Sequence, residues 1–244
     1  MIEHLLTKYE DHYNYTYLAA FSALITLLLG LFSALSFNHP YILTGLIALS
    51  LAYPSSKHLL KQEKKITSLR KLYQSSFYIQ RELLIYGSIF MGVTISLYLL
   101  NSFNLIANVH VYEEVINTSI TGQFSNPNAF INLFQHNAIV FFLTFILTLI
   151  TFNGFLFILT WNSGVLAYYL SELGSQGLTF AIAILPHLIL EISGFILAGL
   201  AGNILTYYRK PHPTKKRLIL LAFLFLGIGM LLITIGAGIE SIGA

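Results

Sequence analysis

The stretch LTFAIAILPHLILEISGFILAGLAGNIL, residues 178–205, holds a single charged side chain, Glu191, and a single histidine, His187. A membrane-crossing helix takes ~20 predominantly apolar residues, so this run reads as a transmembrane helix with length to spare. Working outward, six more apolar runs follow the same reading: Leu18–Phe37, a short Tyr41–Tyr53, Leu83–Leu105, Ala138–Phe152, Phe155–Leu170 and Leu218–Ile239. Composition points the same way. Hydrophobic residues make up 56% of the 244 and charged residues only 9%, against ~25% charged in soluble domains. That balance excludes a disordered chain and a soluble globule. With no Cys there is no disulfide framework and no thiolate nucleophile. The expected fold is therefore all-α, a single polytopic transmembrane helical bundle over residues 1–244.

The placement of positive charge orders the spans. All 13 Lys and Arg lie at Lys8, between Lys57 and Arg81, or between Arg209 and Arg217, and none lies between Glu82 and Tyr208. The positive-inside rule puts these three regions in the cytoplasm, so an even number of crossings separates Arg81 from Arg209. A break at Asn153-Gly154, dividing Ala138–Leu170 into two spans, satisfies that parity. It gives seven crossings, an amino terminus inside and a carboxyl terminus outside, with Glu113, Glu114, Glu172 and Glu240 also outside. Six crossings with dipping half-helices is the rival count. No nucleic-acid role follows from the net charge of +3, because the positive side chains cluster where lipid topology wants them. The localisation implied is a cell membrane.

Two segments between spans have their own character. Lys57–Arg81 reads as one basic amphipathic cytoplasmic helix: Leu59, Ile66, Leu69, Tyr73 and Phe77 recur at helical spacing, while Lys57, Lys61, Lys64, Lys65 and Lys71 share another face. Such a helix lies on an anionic lipid surface. Residues 110–136 form the expected extracytoplasmic segment, with Gly122, Pro127 and several Asn.

Ionisable residues inside the bilayer are functional candidates by default, because burying them in hydrocarbon is costly. His187 and Glu191, one turn apart, stack on one face of the 178–205 helix, and that face continues through Gly194, Ala198 and Gly202. Small residues at this spacing admit a close neighbouring helix. Pro186 beside the pair lacks an N–H and is expected to kink the helix. Asn153, Asn162 and Ser163 are the expected facing partners, and His136 and Asn137 are placed as caps on the first turn of the fourth span. Three roles compete for the pair: a helix-clasping hydrogen bond, a proton or cation site of a channel or transporter centred on Glu191, and a metal site. The metal reading resembles two ligands of a zinc site, with His136 as a third beside His187 and Glu191, and would make the protein an intramembrane hydrolase. No cofactor is expected, and an enzyme is the least favoured of the three.

These residues resemble the stage II sporulation protein M family of polytopic membrane proteins. The family's Pro-His-Gly-x-x-Glu motif reads here Pro186-His187-Leu188-Ile189-Leu190-Glu191, with Leu188 in place of Gly, and is followed by Ala198-Gly199-Leu200-Ala201-Gly202. Upstream, Asn137, Gly154 and Asn162-Ser163-Gly164 resemble further family positions, so that the resemblance covers residues 130–208. It implies a membrane scaffold or complex subunit with membrane-protein partners or a homo-oligomeric state. Spore-forming members are associated with a cell-wall hydrolase complex, whereas most members occur without sporulation.

Overall fold

The protein is seen here as a computed structural model that describes residues 17–33, 39, 41–52, 72–103, 105, 129–151, 153–172, 174–207 and 215–243. Among these residues there are seven helices and no strand. We number them α1 (Tyr17–Ser33), α2 (Tyr41–Ala52), α3 (Leu72–Ser102), α4 (Ala129–Thr151), α5 (Phe155–Glu172), α6 (Gly174–Tyr207) and α7 (Lys215–Gly243). Segments in α3, α4, α6 and α7 are long and apolar enough to cross a membrane, namely Glu82–Ser102, Phe130–Thr151, Leu185–Thr206 and Leu218–Ser241. The apolar helices of α1, α2 and α5 are shorter.

Several element boundaries differ from the sequence reading. The fourth apolar run is not short, because α4 begins at Ala129, well before Ala138, and has 23 residues. Asn132, Gln135 and His136 belong to that helix, so its first turns fall inside the segment expected to be extracytoplasmic. Local helical hydrogen bonding carries these polar residues, whereas a hydropathy window discounts them. Likewise α3 starts at Leu72. The final residues of the expected Lys57–Arg81 helix are thus the opening turns of α3, and residues 57–71 lie outside the described ones. Pro186 lies inside α6, which continues as helix on both sides of it.

The break at Asn153-Gly154 is a tight turn. Asn153 has φ 63°, a left-handed conformation that Asn and Gly tolerate better than other residues. The turn closes through bonds from the Leu156 N–H to the Asn153 carbonyl (2.9 Å) and from the Phe157 N–H to the Gly154 carbonyl (3.1 Å). The Phe155 N–H, an orphan donor at the start of α5, donates to the Thr148 hydroxyl (2.9 Å). A Cβ at Gly154 would stand 2.6 Å from the Leu147 carbonyl oxygen, so the chain reverses here only because residue 154 has no side chain.

Contacts between helices fix their relative directions. Ser22 and Ser96 tie α1 to α3 through bonds to Ile89 (3.5 Å) and Ala23 (3.1 Å), and Gly30 lies against Leu100. Those pairings are parallel. So are α3 and α5, joined by the edge-on rings of Tyr86 and Phe155 (centroids 4.8 Å) and by the Ser163 hydroxyl donating to the Phe90 carbonyl (3.3 Å). In contrast α2 runs antiparallel to α5, with Thr160 donating to the Thr44 carbonyl (3.5 Å), Asn153 to the Ala52 carbonyl (3.4 Å), and Tyr41 stacked on Trp161 (4.9 Å). Helix α6 is antiparallel to both α5 and α7 and parallel to α4. Odd-numbered helices therefore point one way and even-numbered helices the other.

The core sits around α6. From Gly194 to Ile204 every residue of α6 is buried, flanked by α4, α5 and α7 and touched by α3. A helix apolar on all sides belongs at the centre of a bundle. The outward faces of α4 and α7 carry Ile139, Phe142, Ile146, Ile150, Leu220, Phe223 and Leu231 exposed, the surface expected to meet lipid.

A polar junction between three helices as the candidate functional site

Helix α6 places His187 and Glu191 one turn apart, both half-buried. The Asn137 amide of α4 donates to Glu191 Oε1 in a short hydrogen bond. Asn137 is itself buried, so the pair spans the α4–α6 seam with little access for water. The early start of α4 puts Asn137 two turns into the helix, where it is free to bond across to α6 instead of capping its own first turn.

Helix α7 closes the third side. Gly236 stands against this turn of α6: a Cβ there would lie 3.1 Å from Glu191 Cγ and 3.4 Å from the His187 carbonyl oxygen. One turn further along α7, Glu240 is half-buried and close enough to Glu191 for the two carboxyls to interact electrostatically. The junction thus gathers one amide, one imidazole and two carboxyls from three helices. Its glycine contacts continue along α6. Gly194 meets Ile233 and the Gly229 backbone of α7, Gly199 meets the Phe155 ring, and Gly202 meets Thr148 and the Phe145 carbonyl of α4. Ala198 between them is fully buried.

The other sequence candidates lie elsewhere. Asn153 is at the far end of α4, where its N–H donates to Asn203 Oδ1 (2.9 Å) and its own Oδ1 accepts from the Asn203 amide (2.7 Å). Asn162 turns back on its own helix and donates to the Ile158 carbonyl (2.8 Å). Neither faces Glu191. His136 is exposed. Among the described residues no three His, Asp or Glu side chains come close enough to hold a metal ion, so His136, His187 and Glu191 are not assembled as a ligand set.

Four polar residues of the bundle were not singled out as candidates from sequence. Asn203 is the partner that holds the Asn153 turn, and Glu240 shares the junction with Glu191. Glu82 and Tyr86, one turn apart on α3, are both 0% exposed, and the Tyr86 hydroxyl has no hydrogen-bond partner. Glu82 stood at the edge of an apolar run and Asn203 near the end of one, where a polar residue raises no alarm in a hydropathy reading.

Apolar helices joined by polar bonds and glycine contacts at their seams define a polytopic integral membrane protein. The model of the stage II sporulation protein M family matches residues 82–243, well over half of the chain, and the protein belongs to that family. The match takes in the crossing segment of α3 and all of α4 to α7, a wider region than the motif-bearing residues 130–208. No curated protein and no solved structure matches the chain.

Proposed function

We propose that the protein is a membrane scaffold, a subunit that organises other membrane proteins, or further copies of itself, around a rigid helical core. One observation carries this reading: the Asn137–Glu191 hydrogen bond spans α4 and α6 at the point where Gly236 brings α7 into contact with the same turn. A bond that ties two helices where a glycine admits a third is a clasp, and interhelical bonds of this kind contribute ~1 kcal/mol in membranes. The basic segments, Lys57–Arg81 and Arg209–Arg217, suit an anionic cytoplasmic leaflet, with the amino terminus inside and Glu240 at the outer end of α7.

The test separates a clasp from a transport site. As a clasp, Glu191→Gln keeps the bonding geometry and leaves thermal unfolding in detergent close to wild type. Glu191→Ala and Asn137→Ala each lose stability by about 1–2 kcal/mol, since both remove the bond and one strands a carboxyl. Proteoliposomes of the wild-type protein pass no more protons, sodium or potassium than empty vesicles. Flux that vanishes in Glu191→Gln would replace the scaffold with a channel or transporter.

A further inference from the structure

Helix α2 begins partway along the bundle, well short of the end at which α1, α3 and α5 stop. Its pairings with α5 set the register: Ala52 lies opposite Asn153, Thr44 opposite Thr160, and Tyr41 stacks on Trp161. From Trp161 helix α5 runs on to Glu172, roughly 16 Å further at the helical rise per residue. Helices α3 and α1 reach that same end, since Tyr86 and Phe90 of α3 pair with Phe155 and Ser163, and Gly30 of α1 lies against Leu100. Carried through these pairings, His39 lies roughly 10 Å deeper than Ser33, the last residue of α1. That depth is near the middle of the Glu82–Ser102 crossing, level with Ile95. His39 is exposed and not helical, and its carbonyl accepts from the Leu43 N–H (3.1 Å) at the start of α2. Non-helical backbone at membrane depth is tolerated only where protein buries it or water reaches it, because hydrocarbon offers N–H and C=O groups no partner. Protein does not bury His39.

We infer that a water-filled vestibule descends to His39 from the end of the bundle where α1, α3 and α5 stop, and ends there at mid-membrane depth. Its floor is the first turn of α2, whose leading N–H groups have no carbonyl in their own helix. Beneath that floor Leu43, Thr44, Ile47 and Leu51 are at most 2% exposed, so the vestibule is blind. Its α5 wall continues past Trp161 with Val165, Tyr168 and Tyr169, which pack with Trp161 in a small cluster apart from the main core. Tyrosine suits a wall with one apolar side and one wet side. The vestibule admits water and small polar solutes from one face without a route across the membrane, and it stands whether or not Glu191 acts as a clasp.

Single cysteines at His39, Ile95 and Ser241 of the full-length, otherwise Cys-free chain are treated with a charged, membrane-impermeant methanethiosulfonate, in intact cells and in inside-out vesicles. Ile95 is exposed at the same depth on the apolar surface of the bundle, and Ser241, near the end of α7, lies at the end where the vestibule opens. His39→Cys is expected to react from the same side as Ser241→Cys and within about tenfold of its rate. Ile95→Cys is expected to react at least about a hundredfold more slowly, because a thiol in apolar surroundings stays protonated. Taking the side from Ser241→Cys makes the result independent of which face is cytoplasmic. Modification of His39→Cys as slow as that of Ile95→Cys, or only from the side opposite Ser241→Cys, overturns the inference. The unaltered protein gives a second reading, since Trp161 is its only tryptophan and stacks on the exposed Tyr41 at the vestibule floor. Aqueous acrylamide is expected to quench Trp161 emission in liposomes, and emission that acrylamide leaves untouched also overturns the inference.

Discussion

Asn153 shows how one residue can carry two structural duties. Its positive φ lets α4 turn into α5, and its side chain and N–H lock that turn to Asn203 of α6. The duties separate by substitution. Asn153→Gly keeps the left-handed backbone and loses the side-chain bonds, whereas Asn153→Ala loses both. Chemical denaturation is therefore expected to rank wild type above Asn153→Gly, and Asn153→Gly above Asn153→Ala by about 1 kcal/mol, the strain of a left-handed L-residue. Identical midpoints for the two variants would remove the backbone part of the account. The break itself was legible in the sequence from charge parity. Its partner was not, because Asn203 lies fifty positions away and nothing in a single sequence pairs two asparagines at that distance.

Helix α6 explains both what periodicity revealed and what it hid. His187, Glu191, Gly194, Ala198 and Gly202 do follow one another along the helix, yet Ile196, on another face, is only 1% exposed. From Gly194 to Ile204 the helix has no exposed side, so a one-face pattern understates its contacts there. Glycines on different helices consequently differ in what they tolerate. A Cβ at Gly194 would lie 2.7 Å from Ile233 Cγ1 and 2.9 Å from the Gly229 carbonyl oxygen, whereas a Cβ at Gly227 meets nothing within 4 Å. Gly194→Ala is expected to cost about 1–3 kcal/mol by overpacking the α6–α7 seam. Gly227→Ala should be neutral or mildly stabilising, since Ala is the better helix former. Thermal scans of the two purified variants check this, and equal melting temperatures would argue against a tight seam.

At the scale of the whole molecule, the helix directions are compatible with the alternation that charge parity expects. The sequence required an even number of crossings between the two large basic regions. The helix pairings, read from hydrogen bonds and glycine contacts alone, alternate in direction from α1 to α7 and bring the ends of α2 and α6 and the beginnings of α3 and α7 to one side. Under the proposed orientation that side, with its basic residues, is the cytoplasmic one. Helix lengths were less legible. The true start of α4 lay among polar residues that a hydropathy window discounts. The most direct test uses the absence of native Cys. Single cysteines at Thr67, Thr118, Thr214 and Ser241 are probed in intact cells with a membrane-impermeant thiol reagent. The alternating bundle predicts labelling at Thr118 and Ser241, and protection at Thr67 and Thr214 until the cells are opened; labelling of Thr67 and Ser241 alike, or of Thr67 without Thr214, would contradict it.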